Sequence, residues 1–149
     1  MARLSGSTVE LYTDASRGNA GNIGIAFRLV LPTHTEFYAC GQPTTIGDAE
    51  AEALVTALYY VKKNRSEINH LVWFSDSLSV VRLVTGKCKP RKPDMIYWMD
   101  LYKELSTGIK IEARFIRGHV PAKPQYSKVR NNFRFVDQLS RKHRKRVAS

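Results

Sequence analysis

Leu71-Val72-Trp73-Phe74-Ser75-Asp76 is the stretch whose reading decides the fold. A short unbroken apolar run reads as a strand buried on both faces, of the kind found inside a parallel sheet. It leads straight to Asp76, and Leu78, Val81 and Val84 follow at helical spacing. Upstream, Ala53, Leu54, Ala57, Leu58 and Val61 recur at threes and fours, with Asp48 as the N-cap and Lys62, Lys63 and Arg65 complementing the helix dipole. Before that helix stand three segments of alternating pattern. Val9 to Thr13 ends at Asp14, Ile23 to Val30 follows a turn rich in glycine and asparagine, and a third strand lies around Thr35 to Gly41 beyond Pro32. Short connections make these an antiparallel meander. Downstream come a basic loop from Lys87 to Pro93, a helix from Asp94 to Leu105 and a last strand from Ile109 to Ile116. A loop with two prolines and a basic helix from about Arg130 to Arg144 complete the chain. The order β-β-β-α-β-α-α-β-α predicts an α/β fold: a mixed five-stranded sheet, three antiparallel strands then parallel strands, with helices on both faces.

The chain has 149 residues, 43% of them hydrophobic, which fits one domain able to build a core without disulfide or metal. The expected division is a domain over 1–142 and a basic tail over 143–149. No apolar run approaches the roughly 20 residues of a membrane span, so no membrane partner is expected. The first residues lack the apolar stretch of a secretory signal, and the two cysteines, Cys40 and Cys88, have no metal or redox spacing. A cytoplasmic monomer is the expectation, with nuclear or organellar residence left open. The net charge is +11 and it is uneven. Residues 1–100 hold 11 basic and 10 acidic side chains, whereas 101–149 hold 13 and 3. A polyanion, most simply nucleic acid, fits such a surface.

Four acids stand out by position. Asp14 closes the first strand, Glu50 lies in the first turn of the first helix, Asp76 follows the buried strand, and Asp137 is the only acid after residue 112. Singly, each has an ordinary reading: a turn residue, a dipole-favoured acid, an N-cap and a helix-face charge. Glu52 competes with Glu50, but lies about 200° around the helix from it, so the two face different ways.

Their order resembles a known family. Tyr12-Thr13-Asp14-Ala15-Ser16, Gly18-Asn19, Ala49-Glu50-Ala51-Glu52-Ala53-Leu54, Phe74-Ser75-Asp76-Ser77, Gly118-His119 and Val136-Asp137-Gln138-Leu139 are similar to the motifs of type 1 ribonucleases H, including the domains joined to reverse transcriptases. The likeness runs over about residues 8–142. It implies a ribonuclease H-like fold and a metal-dependent endonuclease that hydrolyses the RNA strand of RNA–DNA hybrids, leaving 5′-phosphate ends. Asp14, Glu50, Asp76 and Asp137 would be catalytic metal ligands, holding two Mg²⁺ ions or Mn²⁺ in their place. His119 would be the proton shuttle on a loop. Asn19 and Thr45 match substrate-contacting positions, Thr45 at a phosphate. Lys87, Lys89, Arg91 and Lys92 would form a compact basic handle beside Trp98, and Arg141 and Lys142 begin a dense basic run expected to touch phosphate.

The chain departs from the family pattern at Ile46 and Gly47, where asparagines are usual, and at Leu78, where glutamine is usual. Such polar side chains read the minor groove and the 2′-hydroxyls. Their absence leaves a second reading: a nucleic-acid-binding module of the same fold with weak or altered cleavage, as in a domain of a reverse transcriptase polyprotein. The start methionine and basic tail favour an autonomous chain.

Overall fold

The computed structural model describes residues 8–45, 47–117 and 123–148. Its elements are β1 (Val9–Arg17), β2 (Ile23–Val30), β3 (Thr35–Gln42), α1 (Ala49–Asn64), β4 (His70–Ser75), α2 (Leu78–Val84), α3 (Pro93–Leu105), β5 (Lys110–Phe115), a 3-10 turn (Pro124–Tyr126) and α4 (Ser127–Ala148). The expected order is found, and the sheet is β3-β2-β1-β4-β5. The first three strands pair antiparallel, while β1–β4 and β4–β5 are parallel.

Alternation along β1 and β4 sorts side chains to two faces. Val9, Leu11, Leu71 and Trp73 pack with Leu54, Leu58 and Val61 of α1, Val80 and Val81 of α2, and Trp98 and Met99 of α3. Tyr12 and Ala26 face the other way, onto Phe133 and Val136 of α4. Trp98, beside which the basic handle is expected, belongs to the core. Each fully buried aliphatic side chain contributes about 1.5–3 kcal/mol, and this two-sided burial makes the central strands rigid supports for whatever their ends carry.

The C-terminal segment is not a tail. Helix α4 continues unbroken through residue 143 to Ala148, so the expected boundary between 142 and 143 falls inside it. The reason lies in two strands. Gly24 and Gly41 face each other in the β2–β3 register. A Cβ on Gly24 would overlap the carbonyl oxygen of Ser140 and stand 2.7 Å from the nitrogen of Arg144; one on Gly41 would overlap the carbonyl of His143 and Val147 Cγ2. The paired glycines form a trough that lets helix backbone lie on strand backbone, a use for which glycine in a strand is suited. Asn22 Nδ2 then donates to the carbonyl of Arg144 at 2.8 Å, and Arg144 Nη1 donates to Ser16 Oγ at 2.6 Å and to the Arg17 carbonyl at 3.3 Å. Charge density alone hides this inward face, because Ser140, His143, Arg144 and Val147 are interleaved with outward lysines and arginines.

A polar knot closes the far edge. Glu36 on β3 accepts from Tyr60 at 2.9 Å and from Arg65 Nε at 2.9 Å. The Arg65 bond holds the Glu36 carboxyl down at about 2. It ties the C-terminus of α1 to β3, away from the carboxyl ends of β1 and β4.

Candidate functional site

Parallel pairing puts the acids side by side. Tyr12 and Phe74 are register partners of β1 and β4, and their rings stack at 4.6 Å. Two residues further along the chain stand Asp14, within β1 and not at its end, and Asp76, just past the end of β4. One residue nearer, Trp73 Nε1 donates to Thr13 Oγ1 at 2.8 Å in a fully buried bond that locks the two strand ends together. Asp48 caps α1 by accepting from the nitrogens of Glu50 and Ala51 at 2.8 and 3.1 Å, which aims the first turn at the end of β1. There the Ala15 nitrogen donates to Glu50 Oε1 at 3.1 Å. Ser77, not Asp76, caps α2, so the Asp76 carboxylate is not spent on the helix.

One oxygen from each of Asp14, Glu50 and Asp76 lies within 4.8 Å of the other two. Such crowding is costly. Burial, then the Asp76 charge, pushes the Asp14 carboxyl up to about 8. Burial first, then Asp14 and Asp76, raises Glu50 well above the usual range, and burial, then the Asp137 charge, raises Asp76. Glu50 Oε2 is buried and has no hydrogen-bond partner. A buried acceptor without a donor is normally avoided, and three converging carboxylates with an orphaned oxygen fit a hard divalent cation. A shallow groove of about 260 Å³ opens beside them, lined by Ala15, Ser16, Arg17, Gly47, Asp48, Ala49 and Glu50.

The other expected site residues fare differently. Asp137 is near enough for its charge to act on Asp14 and Asp76, but its Oδ1 accepts from Arg141 Nε at 3.2 Å and it stands outside the cluster of three. Arg141 thus spends its Nε on Asp137 and keeps the rest of its exposed guanidinium open to solvent. Lys142 is exposed, beside Gln138, Arg141, Lys145 and Arg146 on the outer face of α4. Asn19 is exposed at the β1–β2 turn. Lys87, Lys89, Arg91 and Lys92 are all exposed between α2 and α3. His119 and Ile46 lie outside the described residues. Thr45 is half-buried, and its hydroxyl donates to Glu52 Oε1 at 2.6 Å. Gly47, at φ +70°, packs against Asp94, whose Cβ leaves no room for a side chain there. Leu78 is exposed.

Two partnerships escaped the sequence reading. Glu52 as the acceptor for Thr45 gives no periodic signal, since the pair is local and crosses a loop. Arg144 carried one: residues 140, 143, 144 and 147 keep the helical spacing of a buried face even inside a basic run.

No family model and no curated protein matches the chain. Solved structures do. The N-terminal ribonuclease H domain of Rv2228c from Mycobacterium tuberculosis superposes with a TM-score of 0.75 at 18% identity, over 95% of this chain and 96% of that one. LC11-RNase H1, solved in complex with an RNA/DNA hybrid, gives 0.75 at 21%, over 95% and 99%. RNase H1 from the halophilic archaeon Halobacterium salinarum gives 0.69 at 22%, over 92% and 97%. With nearly the whole length of this chain and of each of these solved structures superposed, the chain has the ribonuclease H fold.

Proposed function

We propose that this protein is a metal-dependent endoribonuclease that hydrolyses the RNA strand of RNA–DNA hybrids. The observation that carries the reading is the Asp14–Glu50–Asp76 cluster with its partnerless Glu50 oxygen. The hybrid complex of LC11-RNase H1 supports the substrate class. Asp14, Glu50 and Asp76 would hold divalent ions, two Mg²⁺ with Mn²⁺ as a substitute, and Asp137 would join them on release from Arg141. Bound there, such ions supply an activated water and charge neutralisation at the leaving oxygen. The chain's own part is to hold the carboxylates at that spacing on two locked strand ends and a capped helix. Asn19 at the rim, the Lys87–Lys92 loop and Lys142 on α4 would grip the backbone of the duplex, and His119 would move the proton.

A second reading, a binding module with little or altered cleavage, draws on Leu78 and on Gly47 against Asp94, where polar groove-reading side chains are missing. Cleavage separates the two. A labelled hybrid should be cut with Mg²⁺, left whole with EDTA, and left whole by Asp76→Asn although that variant still folds and binds. Wild-type turnover by Asp76→Asn would refute the metal-carboxylate reading, and binding without any cutting would favour the module.

A further inference from the structure

The two edges of the sheet are built differently. β5, six residues long, carries Lys110, Glu112 and Arg114, the kind of charges with which an edge strand keeps other strands away. β3 has eight residues, pairs with β2 in unbroken register, and carries no lysine, arginine or proline. Its one charge, Glu36, is taken up by Arg65 and Tyr60. Phe37 and Tyr38, on opposite faces, are 58% and 45% exposed. Neither ring is loose: Phe37 stands edge-on to Phe135 at 5.1 Å, and Tyr38 tilts against Phe27 at 5.9 Å.

The turn before β3 fixes which of its backbone groups are open. The Leu31 nitrogen donates to the His34 carbonyl at 2.9 Å, so that pair is hydrogen-bonded. Bonded and non-bonded pairs alternate along antiparallel strands. The backbone groups of Glu36, Tyr38 and Cys40 therefore face β2, and those of Thr35, Phe37, Ala39 and Gly41 face outward. Among the described strands, none pairs with that outward side.

Charge narrows what can meet this edge. The chain holds 24 lysines and arginines, yet none falls between Leu29 and Val61, the stretch that forms β3 and most of α1. The cations that flank it are occupied, Arg65 by Glu36 and Arg28 over the Phe135 ring at 4.1 Å. A phosphate backbone has no counter-charge there. At +11, two copies repel each other across most of their surfaces. Along this edge they do not.

We infer that β3 is a pairing edge for a second copy of this chain, the two strands running antiparallel about a two-fold axis through Tyr38. In that register Thr35 stands opposite Gly41, Glu36 opposite Cys40, Phe37 opposite Ala39, and Tyr38 opposite its own copy. Phenylalanine meets alanine, the tyrosines meet as an aromatic pair, and no like charges face each other. An axis through Ala39 instead would set Phe37 opposite Gly41, where the His143 carbonyl and Val147 of α4 lie. The carboxylate centres, on β1 and just past β4, take no part, and the inference does not depend on the ribonuclease reading.

The test is sedimentation equilibrium of the full chain without nucleic acid, from low micromolar to near-millimolar concentration. A small interface of this kind should give a dimer with a Kd of roughly 10–100 µM. Ala39→Pro deletes an outward N–H, a change an edge strand tolerates, and should weaken the dimer roughly tenfold or more. Tyr38→Lys sets a charge against its own copy and should also weaken it. Thermal melts establish that each variant is folded. The register is read by crosslinking in a Cys40→Ser, Cys88→Ser background. Tyr38→Cys should oxidise to a covalent dimer, because a non-bonded pair brings the Cα atoms to about 4.5 Å. Phe37→Cys, offset from its own copy, should not. A chain that stays monomeric at every concentration overturns the inference and leaves the edge to another protein's strand. A dimer that both Ala39→Pro and Tyr38→Lys leave unchanged overturns it too, since the contact then lies elsewhere. Equal crosslinking at positions 37 and 38 overturns the two-fold register, and the inference with it.

Discussion

The carboxyl ends of β1 and β4 and the Gly24–Gly41 trough solve opposite packing problems. At the strand ends, three carboxylates are brought within 4.8 Å of one another, one buried oxygen is left without a partner, and carboxyl groups are pushed above their ordinary range. Along β2 and β3 the side chains are removed altogether, so that α4 backbone meets strand backbone. The first region holds unfavourable electrostatics and the second supplies contact that helps to offset it. Strain at a site and close packing elsewhere is the pattern expected where function and stability compete. Helix α4 joins the two regions, with Asp137 near the acids and residues 140–147 in the trough.

The largest effect should come from filling the trough. Gly24→Val forces a side chain into the Ser140 carbonyl and the Arg144 nitrogen, and neither can give way without lifting α4. We expect a loss of about 3 kcal/mol or more, read as a fall in the urea midpoint. A midpoint within error of wild type would mean that α4 does not depend on the trough. Next is Arg144, which reaches from the trough to Ser16 and Arg17 at the end of β1. Arg144→Ala should cost about 1–3 kcal/mol and, because it loosens the strand that bears Asp14, should lower hybrid cleavage beyond what the stability loss explains. Activity that recovers fully on cooling the variant would reduce Arg144 to a purely structural clamp.

How much of this was legible follows from the same contrast. The strand and helix patterns were readable because burial imposes periods of two and of three to four along the chain, whereas Asp14, Glu50 and Asp76 were readable through the family motifs around them; the expected end of the first strand at Asp14 was short, since β1 runs on to Arg17. The trough was not, since Gly24 and Gly41 are 17 residues apart and become neighbours only once β2 and β3 are in register. The C-terminus was misread as a tail because five formal charges between Arg141 and Arg146 mask an inward-facing stripe. The Thr45–Glu52 bond crosses between a loop and a helix turn, where no period operates.

At the strand ends the sign of the effect should reverse. Asp14→Asn replaces a buried carboxyl that the folded state must hold protonated with a neutral amide, so at neutral pH the metal-free protein should gain about 1 kcal/mol, or roughly 3 °C in Tm, while losing cleavage. The pH dependence follows from the raised Asp14 carboxyl. Folded, it keeps its proton to about 8; unfolded, it releases it near the ordinary carboxylate value of about 4. Between those limits the folded state binds more protons, so the Asp14 contribution to metal-free stability is complete below about pH 4 and is lost as pH rises toward 8. Mg²⁺ binding displaces those protons, so it should tighten over the same window. Metal-free melting that rises with pH between 5 and 8, for the wild type relative to Asp14→Asn, would contradict the crowded-carboxylate account.

The smallest stability effect belongs to Lys142 and Lys145 on the outer face of α4. Deleting 141–149 cannot test it, because the deletion also removes Arg144, Val147 and the Arg141 partner of Asp137. Lys142→Gln with Lys145→Gln leaves the inner face intact, since both lysines are exposed. Stability should stay within about 0.5 kcal/mol. If this face contacts the backbone of the bound duplex, each lost contact should reduce the slope of log affinity against log salt by roughly 0.7–0.9, with turnover at saturating substrate unchanged. An unchanged slope, with hybrid still bound, would mean that the charge on α4 serves solubility and that the duplex lies toward the Lys87–Lys92 loop instead. The same double variant carrying Arg144→Ala then separates the two faces of one helix: stability should follow the inner substitution alone, and salt dependence the outer pair.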